Sequence, residues 1–162
     1  MTEASRRSLA SGMTVSVLDP YRESDLIVDS SAVIAVLLQE QETEAVLRCL
    51  CEAQRPAIAA PTRTEILVVA LAKLGSTGRD RAAAFLEQQR IRTVPCDGDL
   101  ADAAALAFER FGRGRHPSGL NFGDCFSYAL AHHLKLPLLF IGNDFSRTDI
   151  EAALLRPDRP TC

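Results

Sequence analysis

A short apolar run, Leu26-Ile27-Val28, ends in the carboxylate of Asp29 and is followed by small and aliphatic residues with helical character. The run shows no polar alternation and contains two β-branched residues, which is typical of a strand covered on both faces, as in a parallel sheet. Asp29 is then predicted to lie at the carboxyl end of a central strand, the edge where open α/β sheets build their sites. A simpler alternative is that Asp29 or Ser30 only caps the following helix.

Strand-like and helical segments alternate along the rest of the chain. Further apolar runs at 57–60, 91–94 and 138–141 predict three more strands, and residues 152–155 predict an edge strand or a short helix. Helical periodicity fills the intervals, and Gly75 is predicted to end one helix before another begins at Thr77. The alternation predicts an α/β fold, with a mostly parallel central sheet of four to five strands flanked by helices on both faces.

The composition predicts a single soluble domain. The 162 residues suffice for one buried core, and no apolar run is long enough to cross a bilayer. We expect the domain to span residues 25–156, with an N-terminal extension at 1–24 and a C-terminal tail at 157–162. Five cysteines without a C-x-x-C pair predict a cytoplasmic location and give no support for a zinc site.

The charge of the chain restricts how it could bind a polyanion. A formal net charge of −3 argues against a protein that holds nucleic acid by bulk electrostatics. The segment 112–119 is irregular and basic, but it is short. A polyanionic ligand would therefore require positive charge from another source.

Four carboxylates occupy positions that a parallel sheet can bring to one edge. They lie after the first strand, in the helix after the second, at the start of the helix before the fourth, and after the fourth: Asp29, Glu65, Asp124 and Asp144. Each has a local alternative as a helix cap, a first-turn acid, a capping-box member or a turn residue. Together, however, they would repel one another and raise their pKa values unless a cation bound among them.

The chemistry of this acidic set favours a hard cation. Oxygen ligands without a suitable His or Cys select Mg²⁺ or Mn²⁺ over zinc. Such an ion would supply the positive charge that the chain lacks. It would also lower the pKa of a bound water and stabilise a leaving oxygen, which predicts hydrolysis of a phosphodiester by one ion or two.

These residues resemble the signature of PIN-domain ribonucleases, and in particular the VapC toxins of bacterial type II toxin–antitoxin systems. The resemblance covers about 26–154 and rests on four ordered segments: Val28-Asp29-Ser30-Ser31-Ala32, Thr64-Glu65, Asn121-Phe122-Gly123-Asp124 and Gly142-Asn143-Asp144-Phe145. It implies a PIN-like fold and Mg²⁺ or Mn²⁺ bound by Asp29, Asp124 and Asp144. It further implies that Glu65 completes the catalytic set, supported by Ser31 and Asn143.

The resemblance also implies an activity and partners. The activity would be endoribonucleolytic cleavage of structured RNA such as tRNA or rRNA, which halts translation. The partners would be a second copy of the chain and a VapB-like antitoxin whose C-terminal segment reaches the acidic groove. Basic residues at the rim would position the RNA, and we select Arg63, Arg113, Arg115 and His116.

Two other classes of function are open at this point. An aspartyl phosphotransfer domain would also place Asp29 after the first strand. A phosphatase of this kind needs a second acid where the chain has Ser31, and a receiver domain needs an acidic pair and a lysine that are missing. A catalytically silent PIN-fold binding module is the stronger alternative, although the presence of all four acids argues against lost activity.

Overall fold

The computed structural model of the chain describes residues 19–154, so the predicted tail at 157–162 and most of the predicted extension lie outside the described residues. Its strands are β1 (Leu26–Val28), β2 (Pro56–Ala59), β3 (Arg92–Val94) and β4 (Leu138–Leu139). Its helices are α1 (Ser30–Leu37), α2 (Thr43–Glu52), α3 (Ala60–Gln88), α4 (Gly98–Phe111) and α5 (Phe122–Leu134). Short 3₁₀ helices occur at Asp19–Tyr21 and Asp144–Arg147. No helix within 19–154 is long and apolar enough to span a membrane.

The strands form one parallel sheet in the order β3, β2, β1, β4. β1 therefore has a neighbour on each side, as its apolar sequence predicts. Because the strands are parallel, the segments that follow β1, β2 and β4 all leave from the same edge of the sheet. This edge is where α1 and α3 begin, and the predicted α/β fold is confirmed.

Helices cover both faces of the sheet. Leu26 and Val28 belong to an apolar cluster with side chains of α1, α2 and α3, whereas Ile27 belongs to a second cluster with side chains of α4 and α5. All three residues of β1 are at most 4% exposed. Burial on both faces explains why this strand is continuously apolar rather than alternating.

The break predicted at Gly75 is present, but it lies inside one long element. α3 runs from Ala60 to Gln88, with non-helical dihedral angles at Gly75 (φ 71°, ψ −167°). A positive φ is readily adopted by glycine, which has no Cβ to clash with the backbone. The two predicted helices are thus two segments of α3 that meet at Gly75.

The ends of the described region differ in detail from the prediction. β4 is shorter than the predicted strand at 138–141, and the predicted edge strand is reduced to a single parallel bridge between Leu138 and Ala152. Near the other end, the Tyr21 hydroxyl donates a hydrogen bond to the carbonyl oxygen of Thr93 at 3.2 Å. Residues before β1 therefore contact β3, while the domain bounds at 25 and 156 stay a prediction.

Candidate metal centre

Asp29 lies at the junction of β1 and α1, with 1% of its surface exposed. Its Oδ2 accepts hydrogen bonds from the Ser31 backbone N–H at 3.0 Å and from the Ser31 Oγ at 2.6 Å, so Asp29 is the N-cap of α1. Its Oδ1 is buried and has no hydrogen-bond partner among the described residues. Capping therefore accounts for Oδ2 alone. The unpaired Oδ1 is unfavourable in the fold, because a buried charge without a partner is destabilising.

Ser31 connects this carboxylate to the segment after β4. Its Oγ donates to Asp29 and accepts a hydrogen bond from the backbone N–H of Ile141 at 3.0 Å. The side chain therefore orients Asp29 and holds the two neighbouring strand ends together. Its supporting role at a metal stays a prediction.

Replacing Ser31 with alanine is expected to lower the free energy of unfolding by about 1–2 kcal/mol, because the partly buried Ile141 backbone N–H and the Asp29 carboxylate each lose a partner. Urea unfolding of Ser31→Ala and of the wild type checks this value. Coincident unfolding curves would show that the hydroxyl contributes no net stability.

Asp124 lies in the first turn of α5, and 6% of its surface is exposed. It forms a capping box with Asn121: the Asn121 backbone N–H donates to Asp124 Oδ2 at 2.8 Å, and the Asp124 backbone N–H donates to Asn121 Oδ1 at 2.9 Å. The local alternative for Asp124 is therefore correct as a description of the helix end. It leaves open why a charged residue lies at so buried a position.

The electrostatics of Asp124 show which groups surround it. The pKa of Asp124 is raised to about 7, mainly by burial, although the hydrogen bond from the Asn121 backbone lowers it. Part of the increase comes from the charges of the other three acids, Asp29, Asp144 and Glu65. Since such effects weaken with distance, the other three acids lie close enough to Asp124 for their charges to act on it.

Glu65 reaches this cluster from α3 and is half-buried. Burial raises the pKa of Glu65, the charge of Asp29 raises it further, and a hydrogen bond with the Ser30 side chain lowers it. Glu65 Oε2 is buried without a hydrogen-bond partner among the described residues. The contact with Ser30 was not predicted from the sequence, because nothing local to either residue indicates it.

Asp144 and Asn143 lie at the outer side of the cluster. Asp144 is the first residue of the 3₁₀ helix after β4, and both residues are exposed. The charge of Asp144 contributes to the raised pKa of Asp124. Asn143 is the N-cap of the 3₁₀ helix, but its side chain makes no capping hydrogen bond. Their roles as third metal ligand and supporting residue stay predictions.

The donor set fits a hard divalent cation. The cluster offers carboxylate oxygens, of which Asp29 Oδ1 and Glu65 Oε2 are buried and unpaired. Within residues 19–154, no three His, Cys, Asp or Glu side chains are arranged so that they could jointly hold one ion. Coordination by Asp29, Asp124 and Asp144 together would require them to move closer. Mg²⁺ is commonly bound through one or two carboxylates, with water or substrate phosphate as further ligands.

The four basic residues selected from the sequence differ in their surroundings. Arg63 donates a hydrogen bond to Thr93 Oγ1 at 3.2 Å and lies 3.4 Å from a carboxylate oxygen of Glu87. The His116 ring packs edge-on against Phe111 and hydrogen-bonds with Ser118. Arg113 and Arg115 are exposed in the loop between α4 and α5. That loop leads directly into the helix that carries Asp124.

The sequence matches the family model described as PIN domain over residues 26–151. A ribonuclease VapC of Mycolicibacterium smegmatis is 37% identical over 127 residues, which are 78% of this chain and 98% of that protein. Ribonuclease VapC30 of Mycobacterium tuberculosis is 35% identical over 130 residues, which are 80% of this chain and 99% of that protein.

Solved structures show the same fold. The VapC20 toxin of Mycobacterium tuberculosis, described as cleaving the sarcin–ricin loop, superposes with a TM-score of 0.68 at 18% identity and covers 82% of this chain and 100% of its own. A toxin–antitoxin complex from Klebsiella pneumoniae gives a TM-score of 0.61 at 17% identity, with 80% and 98% coverage. With its match to the PIN model and its VapC relatives above 30% identity, this chain belongs to the VapC ribonucleases of the PIN-domain family.

Proposed function

We propose that this protein is a Mg²⁺- or Mn²⁺-dependent endoribonuclease toxin that hydrolyses RNA phosphodiester bonds in the cytoplasm and thereby inhibits translation. The observation that carries the proposal is the buried acidic cluster around Asp124, whose pKa is raised by burial and by three other acids. A hard cation would offset this repulsion and bind RNA phosphate at the same place. Its family membership supports the same activity.

The residues of the cluster are assigned distinct roles. Asp29 and Asp124 would hold the ion, each fixed by its helix-capping hydrogen bonds, and Asp144 would bind it from the exposed side. Glu65 would orient the attacking water through its unpaired Oε2. When bound, the ion supplies Lewis acidity at the phosphate and a more acidic water.

RNA would be positioned by the surface around the cluster, and structured RNA such as tRNA or rRNA is the proposed substrate class. The exposed Arg113 and Arg115 are the cations that we assign to phosphate contacts, because Arg63 and His116 already have partners in the fold. Phe122, the first residue of α5, is 77% exposed and lies two residues before Asp124. We assign its ring to stacking on an unpaired base.

Replacing Phe122 with alanine is expected to raise KM for RNA roughly 5- to 160-fold, because stacking on an aromatic side chain contributes about 1–3 kcal/mol per base. Leu106→Ala is the matched control, since Leu106 is 65% exposed on α4. The measurement is steady-state cleavage of a labelled RNA, with size-exclusion chromatography of each variant. An unchanged KM, or a change in oligomeric state alone, would contradict the assignment of the ring to RNA.

Two protein partners are proposed on the basis of family membership. One is a VapB-like antitoxin whose C-terminal segment occupies the acidic site, with an arginine in or near the metal position. The other is a second copy of this chain. The first segment of α3 carries apolar residues that are 57%, 45% and 37% exposed and could support a homodimer: Val68, Leu71 and Leu74.

The proposed activity is tested by incubating the protein with total RNA in the presence of Mg²⁺, Mn²⁺ or EDTA. We expect discrete cleavage products with either cation and none with EDTA. A catalytically silent binding module is the second candidate, and intact RNA under all three conditions would favour it.

A further inference from the structure

Gly123 is the second residue of α5, between Phe122 and Asp124. A Cβ added to Gly123 would lie 2.5 Å from Oε2, 2.8 Å from Cδ and 2.9 Å from Oε1 of Glu65. Real Cβ atoms essentially never make contacts below 3.0 Å. Because all three of these atoms belong to one carboxylate, a side chain at residue 123 would occupy the space that Glu65 uses.

The backbone itself does not require glycine at this position. Gly123 is helical and lacks the positive φ that is present at Gly75, Gly114, Gly119 and Gly142. In a helix, alanine is favoured over glycine because it loses less conformational freedom on folding. The relevant property of Gly123 is therefore its missing side chain rather than its backbone freedom.

The two helices that carry these residues are held at a fixed spacing. Thr62 Oγ1 on α3 and Ser127 Oγ on α5 are hydrogen-bonded at 3.2 Å, and both residues are at most 1% exposed. Separating the helices to admit a methyl group would break this buried hydrogen bond, which is costly. The flexible group at the contact is the Glu65 side chain, so the Glu65 carboxylate is what an added methyl group would displace.

We propose that Gly123 is a positioning residue, which leaves room beside Asp124 for the Glu65 carboxylate and so fixes where that carboxylate enters the acidic cluster. The expected effect of Gly123 on RNA cleavage rests on the proposed function. The steric relationship between residues 123 and 65 is independent of what the site does.

The first test is Gly123→Ala, with Gly98→Ala as the matched control because a Cβ on Gly98 in the first turn of α4 meets no atom within 4 Å. We expect Gly123→Ala to reduce RNA cleavage roughly 100-fold, since a displacement of about 1 Å at a site can have that effect. Its melting temperature should stay within about 3 °C of wild type, because the helix gains from alanine. Gly98→Ala should retain full cleavage. Full cleavage by Gly123→Ala would overturn the proposal.

The second test combines Gly123→Ala with Glu65→Asp, whose carboxylate is one methylene shorter and vacates the contested space. Adding Gly123→Ala to Glu65→Asp should then reduce cleavage less than about 3-fold, against roughly 100-fold in the wild type. A second cycle combines Gly123→Ala with Glu65→Ala and is measured by melting temperature. Gly123→Ala should raise the melting temperature more in the Glu65→Ala background than in the wild type. Equal effects in both backgrounds would overturn the proposal. If the wild type cleaves no RNA, the proposed function fails, and the melting-temperature cycle still decides the role of Gly123.

Discussion

Asp124→Asn is expected to reduce RNA cleavage roughly 1000-fold or more, because a metal-dependent site loses several kcal/mol of transition-state stabilisation without its ligand. The substitution is nearly isosteric. Its amide oxygen can still accept the hydrogen bond that the Asn121 backbone N–H donates to Asp124 Oδ2, so the capping box should persist. The variant therefore removes charge from the cluster while leaving the first turn of α5 in place.

Asp29→Asn should show the same loss, and Asp102→Asn provides the control, because Asp102 is an exposed acid on α4. Cleavage of a labelled RNA at saturating Mn²⁺ measures all three variants under identical conditions. Circular dichroism of each variant checks that the fold is retained. Wild-type activity in Asp124→Asn would contradict a catalytic role for the acidic cluster.

Asp124→Asn is also expected to stabilise the metal-free protein. Asp124 is a buried carboxylate near three other acids, and neutralising it should raise the free energy of unfolding by about 2 kcal/mol, or the melting temperature by about 5 °C. In the wild type, millimolar Mn²⁺ should raise the melting temperature by preferential binding to the folded state. In Asp124→Asn, the increase caused by Mn²⁺ should be largely lost.

The stability difference between Asp124→Asn and the wild type in EDTA should increase with pH. The pKa of Asp124 is about 7 in the folded state and 3.8 for an ordinary aspartate, so the folded protein binds the proton more tightly. The stability gained from that proton is present at low pH and is lost as pH rises through 7. Melting temperatures in EDTA should therefore separate progressively from about pH 4 to pH 7 and keep a constant separation above pH 7, with the variant more stable. Parallel curves, or identical wild-type curves with EDTA and Mn²⁺, would contradict this account.

The sequence predicts the fold and the convergence of the acids because both depend on local patterns. The continuous apolar run of β1 indicates burial on both faces, and parallel strands bring the residues that follow them to one edge. The alternatives considered for Asp29 and Asp124 are also correct: each carboxylate caps a helix with one oxygen. Capping orients these acids and is therefore compatible with a role at a metal.

Contacts between distant residues could not be predicted in this way. The proximity of Gly123 to Glu65 and the hydrogen bond between Thr62 and Ser127 depend on how α3 packs against α5, and periodicity within one helix carries no information about its neighbour. For the same reason, the sequence could not show that Arg63 contacts Thr93. A basic residue in an otherwise suitable position can already be engaged within the fold.

The proposed activity requires a divalent cation bound among these carboxylates, and anomalous diffraction from crystals grown with Mn²⁺ tests this binding most directly. We expect one strong anomalous peak, or two, in contact with carboxylate oxygens of Asp29 and Asp124 and absent from crystals of Asp124→Asn. Well-diffracting wild-type crystals without a peak at this edge of the sheet, from protein that cleaves RNA in the same Mn²⁺ buffer, would contradict the central claim.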